Sequence, residues 1–191
     1  MKLMNKSICI MLVPGNGDAD VYSEIWYPWL TNQLEILGVD VIAKNMPDPN
    51  RARKEFWLPF IEKQLNGNEK SILIGHSSGA VAALNYAETH RLQGIVLVGA
   101  SYTDLGDERE KASGYFDNPW QWDKIKQNVD WIIQFHSLND PYIPITQARH
   151  IAQCLNTEYR EFKDRGHFNS DADKKFPELI EALKKKLNQI K

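Results

Sequence analysis

Cysteine is scarce in this chain: Cys9 and Cys154 are the only two in 191 residues, one in a strand-like run and one near the end of a helix-like run. Such a pair excludes a disulfide framework and suits a reducing compartment, so a cytoplasmic protein is expected. Charge of one sign is also lacking, because 23 basic and 25 acidic residues are mixed along the sequence for a net charge of -2. That leaves no basic stripe for nucleic acid and no polybasic anchor for a membrane, and it points to a small molecule as the partner. Long apolar runs are missing too. Ile8 to Val13 is the N-terminal one, and Pro14-Gly15 stops it short of a signal-peptide core or a membrane span. The five histidines are scattered, and no His, Cys, Asp or Glu spacing matches a metal site, so neither metal nor cofactor is expected. With no repeat, low-complexity tract or linker, residues 1–191 read as one domain.

What is present is an apolar strand, Ser71-Ile72-Leu73-Ile74, that runs into Gly75-His76-Ser77-Ser78-Gly79 and on into Ala80-Val81-Ala82-Ala83-Leu84. Gly-x-Ser-x-Gly between a strand and a helix reads as a nucleophile elbow. The serine must sit on a sharp bend, and the flanking residues must be small enough for strand and helix to pass closely. The helix that follows aims free N–H groups and its positive end at the serine, where negative charge on a substrate oxygen would develop.

Alternating strands and helices surround that motif. Ser7–Val13 is strand one, followed by the glycine-rich loop Pro14-Gly15-Asn16-Gly17-Asp18 and a helix carrying Trp26, Trp29, Leu30, Leu34 and Leu37. Val39–Ala43 is strand two, and Asn50 is the expected cap of a helix carrying Phe56, Trp57, Phe60, Ile61 and Leu65. After the elbow, whose helix runs to about Thr89, come Gly94–Val98 (strand four), Trp131–His136 (strand five), a helix over Ile145–Leu155, Thr157–Phe162 (strand six) and a last helix over Phe176–Ile190. Residues 99–122 break the pattern with a polar stretch followed by Tyr115, Phe116, Trp120 and Trp122, and so read as a candidate lid. The pattern predicts an α/β fold with a six-stranded parallel sheet and helices on both faces. Its ligand site should lie at the carboxyl ends of the strands, the edge on which the loops bearing Asn16, Ser77, Asp140 and His167 all fall.

A serine hydroxyl needs a base within hydrogen-bond reach, and the base needs a carboxylate to fix its tautomer. Ser77, His167 and Asp140 fit those roles, and their order in the chain, Ser then Asp then His, is that of the α/β-hydrolase triad. The Ser78 N–H is one expected oxyanion donor and the Asn16 N–H the other. Asp140 could instead be a turn residue ahead of Pro141, with Asp164 and Asp104 as substitutes, and His136 is the rival base. Trp120, Trp122 and Phe168 are the candidate substrate-binding residues, with packing under a lid or in the core as the alternative for the tryptophans.

Long phrases carry a resemblance. Val13-Pro14-Gly15-Asn16-Gly17, Ala43-Lys44-Asn45-Met46-Pro47-Asp48-Pro49, Ile74-Gly75-His76-Ser77-Ser78-Gly79-Ala80, Pro119-Trp120-Gln121-Trp122 and Gly166-His167-Phe168 resemble the small α/β-hydrolase-fold serine hydrolases named for retinoblastoma-binding protein 9. The resemblance spans nearly the whole chain. It implies a strand order of 2-1-3-4-5-6, a triad at Ser77, Asp140 and His167, and hydrolysis of small esters or amides, including aminoacyl ones with an aromatic group. One departure stands out: the family's Leu-x-Cys-x-Glu partner motif reads Leu65-Asn66-Gly67-Asn68-Glu69 here, which argues against retinoblastoma-type pocket-protein binding. The other reading, from a different class, is a catalytically quiet interaction module on the same fold.

Overall fold

The computed structural model describes residues 7–17, 20–170 and 173–190; Asp18 of the expected glycine-rich loop lies outside them. Six strands, β1 (Cys9–Val13), β2 (Asp40–Ala43), β3 (Ser71–His76), β4 (Gly94–Val98), β5 (Ile132–Ser137) and β6 (Glu158–Phe162), form one parallel sheet in the order β2-β1-β3-β4-β5-β6. This is the expected order, with β3 beside β1, so the elbow and the Asn16 loop leave the sheet as neighbours.

The strand sequences are apolar almost throughout because both faces are covered. Met11, Val13, Leu73, Ile95 and Leu97 face one core, built with α2 (Lys54–Leu65), α3 (Ser78–Ala87), α5 (Trp122–Asn128) and α6 (Ile145–Leu155). The alternate residues Ile10, Leu12, Ile72, Ile74, Val96 and Val98 face the other, under α1 (Tyr27–Ile36) and α7 (Pro177–Ile190). Side chains along a strand alternate faces, so each strand stabilises both layers, at about 1.5–3 kcal/mol for each fully buried aliphatic residue.

Two local expectations are corrected. Asn50 does not cap α2, which starts at Lys54 after Arg53 with no side-chain cap. Asp48, in a left-handed conformation at φ 50°, accepts the Arg53 N–H at 3.3 Å and its guanidinium at 2.7 Å, and so organises that entry. Residues 99–122 are not wholly irregular, because Glu108–Ala112 forms a short helix, α4, capped by Asp107 through the N–H groups of Arg109 and Glu110. A five-residue charged helix leaves no apolar period to read.

The Leu65–Glu69 stretch is the turn from α2 into β3, at the opposite end of the sheet from Ser77. Leu65 is buried in the core, and Asn66 and Gly67 both take positive φ.

Candidate active site

β3 ends at His76, and the chain turns through Ser77 into α3 within one residue. Ser77 adopts φ 53° and ψ -122°, a sparsely populated conformation for a residue with a side chain, at a cost of about 1–3 kcal/mol. Sterics enforce the two glycines. A Cβ on Gly75 would lie 2.6 Å from the Ala80 nitrogen, and one on Gly79 would lie 2.7 Å from the Val13 carbonyl carbon. All of α3 is buried because its small residues let it pass against the sheet. The Ser77 N–H is used by the Val98 carbonyl at 2.8 Å, while Ala80 and Val81 donate back to the Ser77 carbonyl. Ser78, next in the chain, sits at the start of α3 and lines the cleft.

His167 follows β6 and donates from Nδ1 to Asp140 Oδ2 at 2.7 Å. The other Asp140 oxygen accepts the N–H groups of Tyr142 (2.9 Å) and Ile143 (3.0 Å), so the carboxylate is fixed at both ends. Burial pushes the Asp140 pKa up, but the bond and charge of His167 and the two backbone donors outweigh it and hold the carboxyl below its ordinary range. With Nδ1 engaged by Asp140, Nε2 is the ring nitrogen left for Ser77. Gly99, at the end of β4, makes room for the pair: a Cβ there would come within 3.0 Å of the imidazole Cε1.

The alternatives do not line the cleft, although His136 Nε2 stands 3.7 Å from Asp140 Oδ2. His136 is fully buried, donates from Nε2 to the Ile143 carbonyl at 3.0 Å, and does not reach the cleft. Asp164 is exposed, and Asp104 accepts the Gly106 N–H in its own turn.

Ser77, Ser78, Asn16 and His167 line one cleft of about 540 Å³. Neighbouring amides single out the N–H of Asn16: Gly15 donates to the Tyr27 hydroxyl at 3.1 Å and Gly17 to the Pro49 carbonyl at 2.9 Å. The Asn16 side chain donates to Glu110 Oε1 at 3.1 Å. Leu105, Tyr142 and Ile143 give the cleft an apolar side, and Asp107 and Glu110 give it an acidic one. Burial, then the charge of Asp107, raises the Glu110 pKa against the opposing bond from Asn16. A wider groove of about 970 Å³ adjoins on the far side of Asn16, with Arg51, Arg53 and Arg109 along it, and Ser77 and His167 lie outside it.

The three candidate substrate-binding aromatics do not reach the Ser77 cleft. Phe168 is fully buried, and its φ of 58° turns the ring away from the cleft that His167 faces, onto Phe176 at 5.2 Å. Trp120 donates from Nε1 to the Tyr102 carbonyl at 2.7 Å and stacks on Trp122 at 5.2 Å. Both tryptophans pack against the α3–α5–α6 core and border a separate shallow pocket with Cys154. The residues missed by sequence reasoning are Leu105, Glu110, Tyr142 and Gly99. Glu110 sits in the run Asp107-Glu108-Arg109-Glu110-Lys111, which reads as a solvated face, and only its packing under Asn16 distinguishes it.

A strained serine between a central parallel strand and a buried helix, with an Asp-fixed histidine over the same sheet edge, defines an α/β-hydrolase fold. A family model described as serine hydrolase matches residues 10–185. Rat serine hydrolase RBBP9 is 51% identical over 178 residues, covering 93% of this chain and 94% of that protein. YdeN of Bacillus subtilis is 30% identical over 154 residues, 76% of this chain and 79% of its own length. The crystal structure of the ydeN gene product superposes with a TM-score of 0.87 at 24% identity, covering 95% of this chain and all of that one. The chain therefore belongs to the serine hydrolase family, with retinoblastoma-binding protein 9 among its relatives.

Proposed function

We propose that this protein, acting as one α/β-hydrolase domain, cleaves small carboxylic esters or amides through an acyl-enzyme on Ser77. The Ser77 hydroxyl attacks the substrate carbonyl carbon as His167 Nε2 takes its proton, and Asp140 stabilises the imidazolium. The Ser78 and Asn16 N–H groups donate to the oxyanion. Collapse of the tetrahedral intermediate breaks the bond to the alcohol or amine, which leaves with the proton from His167. Water then attacks the acyl group by the same route and frees Ser77. The observation that carries this reading is the 2.7 Å His167–Asp140 bond in the cleft that also holds Ser77 on its strained turn.

Substrate choice follows from the walls. Segment 99–122 contributes Leu105, Asp107 and Glu110, and with Tyr142 it favours a compact apolar acyl group beside a cation. An aminoacyl ester or amide has that form, its ammonium pairing with Glu110. The quiet interaction module gains no support, since Leu65 of the altered partner motif is buried. The free thiols of Cys9 and Cys154 favour a cytoplasmic setting.

A fluorophosphonate probe should label the wild type once and leave Ser77→Ala unlabelled, and the same substitution should lower turnover by about 10⁶-fold. Labelling that survives it moves the nucleophile elsewhere. Glu110→Gln should lower kcat/KM for aminoacyl esters relative to matched neutral esters by about 10- to 100-fold. Its melting temperature should rise at neutral pH, because the fold disfavours the ionised carboxylate that the substitution removes. An unchanged preference would leave ammonium recognition without its anchor.

A further inference from the structure

His76 is buried beside the reacting groups, yet it takes no part in the proton transfers above. Both of its ring nitrogens are engaged. Nε2 lies 2.8 Å from the His167 carbonyl oxygen and Nδ1 lies 2.6 Å from the Tyr27 hydroxyl. A carbonyl oxygen can only accept, so Nε2 carries the proton. Burial, then the charge of His167, lowers the His76 pKa to about 3, which leaves the ring neutral and Nδ1 an acceptor. The Tyr27 hydroxyl therefore donates to Nδ1, and its oxygen accepts the Gly15 N–H at 3.1 Å. An unbroken chain results: Gly15 N–H to the Tyr27 hydroxyl, that hydroxyl to His76, and His76 to the His167 carbonyl.

Its two ends belong to loops that the sheet itself does not hold together. The Gly15-Asn16 loop follows β1 and the His167 loop follows β6, four places away in the strand order. At ~4.8 Å per strand those strand ends are roughly 19 Å apart. The loops must nevertheless lean over β3 until an oxyanion donor and the base serve one carbonyl, within about 0.5 Å of the productive geometry. His76 is the last residue of β3, under that meeting point.

We propose that Tyr27 and His76 are positioning residues whose hydrogen bonds set the separation between the oxyanion loop and the base loop. The proposal rests on the triad reading above. Ser77 does the chemistry, and the bridge determines whether Asn16, at the oxyanion, and His167, at the Ser77 hydroxyl and the leaving group, serve one substrate carbonyl. The main-chain carbonyl next to it in the loop, that of Phe168, is held in parallel by Trp26 Nε1 at 3.0 Å, so the bridge acts on a loop already anchored from one side.

Tyr27→Phe tests this, because it deletes the hydroxyl and keeps the ring that packs edge-on against Trp26. Expected is a kcat lower by about 10- to 100-fold with KM within about threefold. A matched ester and thionoester pair reads the oxyanion loop directly, since sulfur accepts hydrogen bonds poorly. The oxo-to-thiono rate ratio should fall in Tyr27→Phe. His76→Gln, whose amide can still donate toward the His167 carbonyl, should retain more activity than His76→Ala. A Tyr27→Phe protein with wild-type kcat, or with lower kcat but an unchanged oxo-to-thiono ratio, overturns the proposal whatever its melting temperature. Failure of the wild type to react with the fluorophosphonate probe overturns the hydrolase reading, and the proposal with it.

Discussion

The elbow and the segment over residues 99–122 face each other across one cleft, but they are held by different means. Five consecutive residues account for the elbow: two glycines with no room for a Cβ, and a serine whose backbone strain is fixed by the strand before it and the helix after it. The segment is held by partners far along the chain. Gln147 accepts the Tyr102 and Thr103 N–H groups, Glu88 accepts that of Gln121, and Asn16 reaches Glu110. On the proposed reading, the nucleophile Ser77 is set by its own turn, and the walls that choose a substrate are set by docking. Functions sharing a fold commonly divide in this way, with chemistry at the strand ends and specificity in the loops that cover them.

If that division holds, damage to the strand-end loops should abolish chemistry while damage to the segment alters selectivity or stability. The largest expected effect is that of Asp140→Asn, which forces the wrong tautomer on His167 and should cut kcat by about 10⁴-fold with the fold intact. The variant should also be less stable than wild type above the ordinary carboxyl range, by a difference that disappears in acid. A carboxyl held below its ordinary range stabilises the fold at every pH above the usual value of about 3.9, and that contribution fades as pH falls through the folded value. Acid titrations of wild type and variant should therefore converge below that range, and curves that stay parallel would remove Asp140 from the linkage.

Gly79→Ala comes next. A methyl group 2.7 Å from the Val13 carbonyl carbon must push α3 off the sheet, at about 3 kcal/mol, with activity falling in step. A tolerated alanine would mean that the close approach is not needed.

The smallest effects belong to the segment, and they separate its two halves. Trp120→Ala should lose about 2 kcal/mol of stability and leave the ratio of kcat/KM between short and long acyl esters unchanged, since its ring packs away from the cleft. Leu105→Ala, at the mouth, should do the reverse, shifting that ratio by up to about 10-fold with little change in melting temperature. A substrate series beside melting curves for both variants would expose a lid role for the tryptophans if Trp120→Ala moves the ratio.

Much of this protein was legible in the sequence because its strongest constraints act between neighbours in the chain. Alternating faces in β1, β3 and β4 make continuous apolar runs, glycines at 75 and 79 mark a turn that nothing larger fits, and loops following successive parallel strands fall on one edge. Six strands and the candidate residues Ser77, Asp140 and His167 followed from such patterns, whereas the strand order came only from the resemblance to a known family. Tertiary structure alone decided which side chains face the cleft. Phe168 adjoins the base, yet a left-handed backbone sends its ring into the core; Trp120 and Trp122 look like a lid but stack on each other and pack against the core beneath α3 and α6. Glu110, in a run of charge that reads as solvated, turns inward to Asn16, 94 residues earlier in the chain. Spacing records which residues share a strand or a turn. The direction a loop side chain takes depends on what distant segment packs against it, and no local pattern carries that.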